Sequence, residues 1–592
     1  MSVPADEYAQ RLRRREAQAA ESQRLHTRVG GARLLLAGAT IVAAWWSLQG
    51  HAFAVYWLGI PVAAFAALVL YHFKVRSARV RAERAVAFYQ AGLTRIDDRW
   101  AGTGTQGMRF TDPHHVYAAD LDLFGHGGLF ELLCGARTRM GEERLAQWLL
   151  TPATLEVIGE RQASVVDLKD RLDLREELAV LGDNLDAGVH PDALLGWSEA
   201  PNQLGQAWIR WVGVVLPVLA VATAILWSVT GLQSPFFIIL LIEAAVLYGV
   251  GKRIDQALRG TENAFDDLKL LAALLTRIES ERWVAPALQT LIHRLSSHTA
   301  TASRTIGRLA TIANFSGSRR NQIVAVLTVP LMYTLHVAVA AERWRRLHGQ
   351  VVRAWLDVTG EIEALLCLGA YSYEHPSDPF PEFVEGPAAF QGMGLGHPLI
   401  PAERCVRNDV AITGERRVLL VSGSNMSGKS TLLRTVGINT VLAMAGAPVR
   451  AQRLQLTPLQ TGASIRINDS LHEGSSRFYA EIIRLRQLLD LTRGARPLLF
   501  LLDELLQGTN SRDRRTGAEG IVRAFVARGA IGLISTHDLA LTDISGVDGA
   551  LLNVHFQDEL ENGRMKFDFK LRAGVVTKSN AVELMRSIGL EV

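Results

Sequence analysis

Ser422-Gly423-Ser424-Asn425-Met426-Ser427-Gly428-Lys429-Ser430-Thr431 decides the reading of this chain. Gly423 to Ser430 fits G-x-x-x-x-G-K-[ST], the pattern of a P-loop. It follows a strand-like run, Arg417 to Ser422, and opens a helix-like run near Lys429. Glycine lets backbone N–H groups approach phosphate oxygens, and a helix N-terminus adds the positive end of its dipole. In such a loop Lys429 reaches the β- and γ-phosphates and the Ser430 hydroxyl ligates Mg²⁺, so ATP and Mg²⁺ are the implied ligands.

Downstream, Leu498-Leu499-Phe500-Leu501-Leu502-Asp503-Glu504 is a continuous apolar run ending in two acids. This predicts a buried parallel strand with carboxylates at its C-terminal end, the edge where open α/β sheets bind ligands. Asp503 is placed to hold Mg²⁺, directly or through water. Glu504 is placed to orient and deprotonate the attacking water. A further strand, Ile531 to Ser535, runs into Thr536-His537-Asp538. A histidine at such a strand end can donate to the γ-phosphate or to the water. The expected catalytic residues are therefore Glu504 and His537. Gly423 through Thr431 are the expected nucleotide-binding residues, with Ser430 and Asp503 as metal ligands.

Between these elements, Gly474-Ser475-Ser476-Arg477-Phe478-Tyr479-Ala480-Glu481 opens a helical run from Ile482 to Leu491. A serine-rich helix start with an acid in its first turns is a capping pattern and also a ready anion site.

Together these residues resemble the MutS family of DNA mismatch-repair ATPases. Its pattern is T-G-x-N-M-x-G-K-S-T, a Ser-Thr-Phe…Glu helix start, L-L-D-E-x-x-x-G-T, then T-H. Asn425-Met426 inside the P-loop is more specific than the generic motif. Gly396-His397-Pro398, Asn408-Asp409, Ala447-Pro448-Val449, Ile465 to Asp469, Asn553-Val554-His555-Phe556 and Lys578-Ser579-Asn580-Ala581 follow in family order. Upstream, Asp120 to Phe124, Leu129 to Leu133, Thr138 to Gly141, Leu145 to Leu150 and Arg161-Gln162 resemble the start of the family's helical core, or lever, domain. The resemblance implies a C-terminal α/β ATPase of ABC/MutS type, an all-α core, a homodimer joined through ATPase domains, and DNA as a ligand. It further implies that Ser475 and Ser476 of one subunit touch the γ-phosphate bound by the other. Gly508 to Asp513 would sit at that interface. His555 stands where the family packs a ring on adenine; a core or edge histidine is the other reading.

There are departures. The residues before the core are short and apolar, so the family's N-terminal mismatch-reading domain is expected to be missing. Phe380-Pro381-Glu382 and Phe383-Val384-Glu385 fit the reader's Phe-x-Glu string but lie in what reads as a Pro-rich linker. Arg477 replaces a threonine, and Cys405 stands where an aromatic often stacks on the nucleobase. With the chain ending at Val592, no C-terminal nuclease or dimerisation tail is expected.

Two apolar blocks raise the mean hydropathy to +0.13. Leu34 to Phe73 and Val212 to Val250 are each long enough for two helical spans with a tight turn, near Gln49-Gly50-His51 and Thr230 to Gln233. Arginines and lysines flank both blocks (Arg11, Arg13, Arg14, Arg15, Arg24 and Arg28 before the first), and neither inner turn carries any. The positive-inside rule then starts and ends both hairpins in the cytoplasm, with the ATPase domain on that side of a cytoplasmic (inner) membrane. Trp45, Trp46, Trp57, Trp208, Trp211 and Trp227 lie near span ends, as an aromatic belt would. Glu243, the one charge inside a span, is expected to pair within the bundle or snorkel. Ile323 to Ala341 carries Pro330, Thr334 and His336 and reads as buried core rather than a span. The N-terminus shows no cleavable signal.

The chain has 592 residues, a formal net charge of +4 and three cysteines without metal spacing, which suit a reducing compartment. Its basic excess clusters at the membrane flanks. Arg343, Arg345, Arg346 and Arg353 form a further stripe, either a phosphate contact or a solvated helix face. The expected organisation is a basic cytoplasmic segment (1–31), transmembrane hairpin 1 (32–75), core (76–206), transmembrane hairpin 2 (207–252), core helices (253–375) and P-loop ATPase domain (376–592). The expected function is a multi-pass, membrane-anchored MutS-type ATPase coupled to binding of DNA, mismatched or otherwise structured. The alternative is a membrane-associated mechanical or scaffold ATPase that does not bind DNA.

Overall fold

The computed structural model describes residues 3–50, 54–181, 191–259, 265–296, 301–317, 331–424, 426–466, 477–507, 509–542, 547, 549–561 and 564–576. Helices make up the first part: α1 (Val3–Gly50), α2 (Gly59–Ile96), α3 (Leu129–Leu133), α4 (Arg139–Leu150), α5 (Leu155–Lys169), α6 (Leu172–Val180), α7 (Pro191–Glu199), α8 (Ala207–Thr230), α9 (Ser234–Leu258), α10 (Phe265–Glu279), α11 (Pro286–Leu295), α12 (Ala302–Gly317), α13 (Tyr333–His348) and α14 (Val352–Glu374). The rest is mixed. Strands β1 (Glu382–Phe383), β2 (Phe390–Leu395), β3 (Asn408–Ile412) and β4 (Val418–Ser422) precede α15 (Lys429–Ala445). Then come β5 (Arg453–Leu456), β6 (Gln460–Ser464), α16 (Arg477–Leu491), β7 (Leu498–Leu502), α17 (Ser511–Ala527), β8 (Ile531–Thr536), β9 (Leu551–Glu561) and β10 (Arg564–Ala573).

Helices α1, α2, α8 and α9 are long and apolar enough to cross a membrane. Their apolar side chains face outward: Leu34, Ile41, Trp46, Leu70, Trp211 and Leu241 are all exposed. So large an uncovered apolar surface is rare on a soluble monomer. α1 is one helix of 48 residues, so the basic N-terminal segment and the apolar run after it are a single element. Nothing after Pro4 breaks it, because glycines such as Gly30 weaken a helix without ending it. Between α8 and α9 the turn falls where the sequence predicts it, with Gly231 left-handed (φ +75°) as the cap.

Glu243 departs from expectation. It neither pairs nor snorkels: it is fully buried on α9, and among the described residues neither carboxylate oxygen has a hydrogen-bond partner. It lies nine residues from the start of α9, about 14 Å along the axis, too far for its side chain to reach that end. Of the segment Ile323 to Ala341, residues up to 330 lie outside the described residues. Leu335, Ala338 and Ala341 on α13 are buried in the core.

The base of the first hairpin is fastened to the helical core. Tyr8 is fully buried, stacks on Tyr373 with centroids 5.6 Å apart, and donates to Glu374 at 3.2 Å. Arg95 of α2 grips the same carboxylate through two bonds, at 2.7 and 2.6 Å. α14 runs through the centre, buried along most of its length. It crosses α4 closely because Gly360 has no side chain: a Cβ there would lie 2.7 Å from the Met140 carbonyl oxygen.

Two sheets complete the chain. One has four strands in the order β1-β5-β2-β3. Glu382-Phe383, expected in a linker, is its edge strand β1, held parallel to β5 with Glu382 ion-paired to Arg453 at 2.7 Å. The other has six strands in the order β10-β9-β4-β8-β7-β6, parallel from β9 to β6 with β10 antiparallel at the edge. One apolar cluster runs without interruption from the helical core into this region, and a second lies around Phe500, Val522 and Phe525. Asp120, in the segment before α3, accepts from the Ile465 and Arg466 N–H groups at 2.7 Å each and so ties the core to the end of β6.

Candidate functional site

Strand order decides what meets at the site. β4, β8 and β7 are parallel neighbours, so the loops after Ser422, Thr536 and Leu502 emerge side by side at one sheet edge. Those loops carry the P-loop, His537 and Asp503-Glu504. All three strands are buried at every position, which explains their uninterrupted apolar runs.

The P-loop turns through left-handed backbone at Gly423 (φ +151°), Met426 (φ +70°) and Gly428 (φ +104°) and enters α15 at Lys429. At Gly423 a Cβ would lie 2.8 Å from the Ser427 Oγ, so only glycine fits this cradle. Lys429 Nζ donates to the Gly423 and Ser424 carbonyls at 2.9 and 2.8 Å. Burial holds the Lys429 ammonium below its usual pKa, opposed by the nearby Glu504 and Asp503 carboxylates. The Ser424 and Ser427 hydroxyls are buried without a hydrogen-bond partner among the described residues. Buried polar atoms of this kind, around a glycine cradle at a helix N-terminus, fit a phosphate chain. Asn425 lies outside the described residues.

The acidic pair is held by neighbours that the motif alone does not identify. Ser535 of β8 donates its hydroxyl to Asp503 and accepts the Glu504 N–H at 3.1 Å. Glu504 itself is left-handed (φ +51°), as is Leu506 (φ +56°). His537 Nδ1 stands 3.5 Å from Glu504 Oε1, and the Gln507 amide donates to the other oxygen. Arg514 of α17 staples the following turn, donating to the Leu506 and Gln507 carbonyls at 3.1 and 3.0 Å. Asn510 caps α17 by accepting from the Asp513 N–H at 2.9 Å. Glu481 of α16 accepts the Leu506 N–H at 2.7 Å. The geometry thus unites Lys429, Asp503, Glu504 and His537, with Ser430 next to Lys429 in the first turn of α15. Ser475, Ser476 and Gly508 lie outside the described residues. Ser535 and Arg514 carried no sequence signal beyond their nearness to the motifs.

Beside the P-loop a cavity of 210 Å³ is lined by Cys405, His397, Gly428, Thr431, Phe556 and Phe569, among others. His555 is not on its wall. Successive residues of β9 point to opposite faces, and His555 instead places Nδ1 3.0 Å from the Gly574 carbonyl. Burial, aided by Arg434, lowers the pKa of His397 to about 4, so its imidazole is neutral. Its Nδ1 accepts the Leu399 N–H at 3.2 Å, leaving the proton on Nε2.

From this site α15 runs to the helical core. At its far end the Ala153 N–H donates to the Met444 carbonyl at 3.2 Å, and Arg161 to the Ala445 carbonyl at 3.1 Å. The same guanidinium lies 3.8 Å over the Trp148 ring. One rigid element of 17 residues, about 25 Å, therefore joins the phosphate cradle to α4 and α5. The expected arginine stripe on α13 is divided: Arg345 is buried, bound to Glu342 and the Pro201 carbonyl, whereas Arg343 and Arg346 are exposed.

Residues 419–591 match the family model for MutS domain V. The chain is 33% identical over 195 residues to an "Endonuclease MutS2" of Thermus thermophilus, covering 33% of this chain and 25% of that protein. It is 31% identical over 258 residues to a "DNA mismatch repair protein MutS 2" of Halobacterium salinarum, covering 43% and 28%. It is 32% identical over 263 residues to a "DNA mismatch repair protein MutS" of Brevibacillus brevis, covering 43% and 30%. The chain thus spans about a quarter of the length of the curated relatives it matches.

Proposed function

Since the chain belongs to the MutS family through its domain V, we propose that it is a membrane-anchored ATPase that binds and hydrolyses Mg²⁺-ATP and acts as a homodimer on DNA. The observation that carries the reading is the convergence of Lys429, Asp503, Glu504 and His537 at the shared edge of β4, β8 and β7.

Ser430 and Asp503 are the residues that would hold Mg²⁺, which when bound neutralises charge on the transferring phosphate. Lys429 contributes a fixed cation at the cradle. Glu504 orients the attacking water and takes its proton, and His537, beside Glu504, donates to the γ-phosphate or that water. Closure of two ATPase domains would bring Ser475 and Ser476 of one onto the nucleotide of the other, and α15 would carry the change to α4 and α5.

The four apolar helices support anchoring in a cytoplasmic membrane, with the ATPase on the cytoplasmic side where the basic flanks lie. DNA as the ligand rests on the mismatch-repair and endonuclease names of the relatives. A second reading, a mechanical or scaffold ATPase without DNA, is favoured by the hairpin α8–α9: it packs on core helix α13, with Gly213 facing Leu335.

The deciding experiment measures ATPase of the detergent-solubilised protein with and without mismatched and branched duplex. Salt-sensitive binding with stimulated turnover supports the DNA reading. ATPase without either response supports the scaffold reading, and absence of ATPase defeats both.

A further inference from the structure

A second cavity, of 320 Å³, lies where the first hairpin meets the helical core. Its walls come from α2, α3 and the segments flanking it, α6 and α14. It shares no lining residue with the cavity beside the P-loop. Phe88, Trp100, Leu178 and Leu366 supply apolar flanks. Arg95, Arg137, Arg175, Glu131 and Glu363 supply charge.

These charges are unequally matched. Arg95 is paired with Glu374 through two hydrogen bonds. Glu131 accepts the Gly104 and Gly127 N–H groups at 3.0 and 2.8 Å, one on each oxygen. Glu363 accepts from Thr138 and from the Arg137 N–H, and burial raises its pKa to about 7, so its charge is weakened near neutral pH. Arg137 and Arg175 are left short of acceptors. Arg175 is only 5% exposed: Nη2 donates to the Lys169 carbonyl at 2.8 Å, but Nε and Nη1 have no hydrogen-bond partner among the described residues. Its guanidinium lies 4.8 Å from the centre of the Tyr373 ring, which offsets charge but offers no lone pair to an N–H. Arg137 Nε is likewise buried without a partner, and its Nη2 shares the Leu181 carbonyl with Arg84, at 3.1 Å each. Burial, together with the like charge of Arg84, holds the Arg137 guanidinium below its usual pKa.

Buried N–H groups without acceptors beside a cavity call for an ion or an ordered water. A guanidinium fork matches the oxygens of a carboxylate or a phosphate. We propose that this cavity binds a small organic anion, a carboxylate or phosphate monoester with an apolar body, whose head group is held by Arg137 and Arg175. The head group supplies the lone pairs that the two arginines lack and offsets the repulsion between Arg137 and Arg84. The apolar body lies against Phe88, Trp100, Leu178 and Leu366. Because α2, α6 and α14 each form a wall, the bound anion fastens the first hairpin to the core. It does so beside the Tyr8 contact, since the Tyr373 ring under Arg175 also stacks on Tyr8.

The test is calorimetric binding of phenyl phosphate, benzoate and inorganic phosphate to the full-length protein in detergent. Phenyl phosphate or benzoate should bind, and more tightly than inorganic phosphate, which lacks the apolar body. Preference between the two organic probes identifies the head group. Arg137→Gln and Arg175→Gln should each weaken the preferred probe about 10- to 150-fold. Lys429→Ala, which disables the P-loop, should bind it like the wild type. Saturating probe should raise the melting midpoint of the wild type but not of Arg137→Gln. If Arg175→Gln fails to fold, Arg137→Gln, a half-buried residue outside the helices, decides alone. The proposal is overturned if neither organic probe binds or if Arg137→Gln binds like the wild type. It is also overturned if Lys429→Ala abolishes binding, which would place the anion at the P-loop.

Discussion

Glu481, on α16, accepts the backbone N–H of Leu506 at 2.7 Å, and both residues are buried. The bond ties the helix that follows the serine-rich segment to the turn that carries Glu504. Two residues of that turn, Glu504 and Leu506, are left-handed, so its shape depends on such external ties. The bond thus links the position of α16 to the turn that carries Glu504, the carboxylate proposed to be catalytic.

Replacing Glu481 with alanine leaves the Leu506 N–H buried without that acceptor, at a cost of about 1–3 kcal/mol. Turnover should fall at least tenfold while ATP affinity, set by the P-loop, is kept. Glu481→Gln retains an acceptor and should be milder. Steady-state turnover beside equilibrium binding checks this, and wild-type turnover in Glu481→Ala would exclude the coupling.

Lys429 and Glu504 should separate binding from chemistry. Lys429→Ala removes a charge-assisted contact to phosphate and should weaken ATP by roughly 10- to 150-fold. Glu504→Gln keeps the shape and loses the base, so ATP should still bind while turnover drops by about 10² to 10⁴. It should also prolong any closed dimer, visible as an ATP-dependent shift in mass by light scattering. Normal hydrolysis by Glu504→Gln would remove it from the catalytic role.

Glu363, on α14, is buried against α4, where it accepts from the Thr138 hydroxyl and from the Arg137 N–H at 3.0 Å. Burial raises its pKa from 4.5 to about 7. The folded chain therefore holds a proton that the unfolded chain has released between these values. Its contribution to stability is full below pH 4.5 and is lost as pH rises through 7, on the order of 3 kcal/mol in all. Melting curves from pH 5 to 8 should show the wild type losing stability relative to Glu363→Gln. Parallel curves would contradict the assignment.

Gly360 should tolerate no side chain. A Cβ there meets the Met140 backbone at 2.7 Å, and backbone cannot move aside as a flexible side chain can. Gly360→Val should force α4 and α14 apart and cost about 1–3 kcal/mol or more. The loss would appear in thermal unfolding, with a lowered midpoint. An unchanged midpoint would show that this crossing is loose.

Much of the candidate site was legible because it is local. The P-loop, the acids after β7 and the histidine after β8 each sit at the end of an apolar run. Parallel strands make such ends converge. The cavity beside the P-loop was not legible. His555 and Phe556 are adjacent on β9, and only the observed register shows which faces the P-loop. Nothing in Phe567-Asp568-Phe569 announces a bulge, which depends on Asn408 some 160 residues away. Glu243 was misread for a related reason. Its helix was evident, but which side faced α8 and α13 was not.

The sequence by itself determined the P-loop turn, the carboxylates after β7, the four long apolar helices and the turn at Gly231, because each follows from spacing or composition within a few residues. Only the tertiary structure decided that α1 docks through Tyr8 on Glu374, that Glu481 holds Leu506, and that Phe569 rather than His555 faces the cavity beside the P-loop. Those outcomes depend on strand register and on which helix faces meet. Both are settled by packing between segments far apart in the chain, which no local pattern encodes.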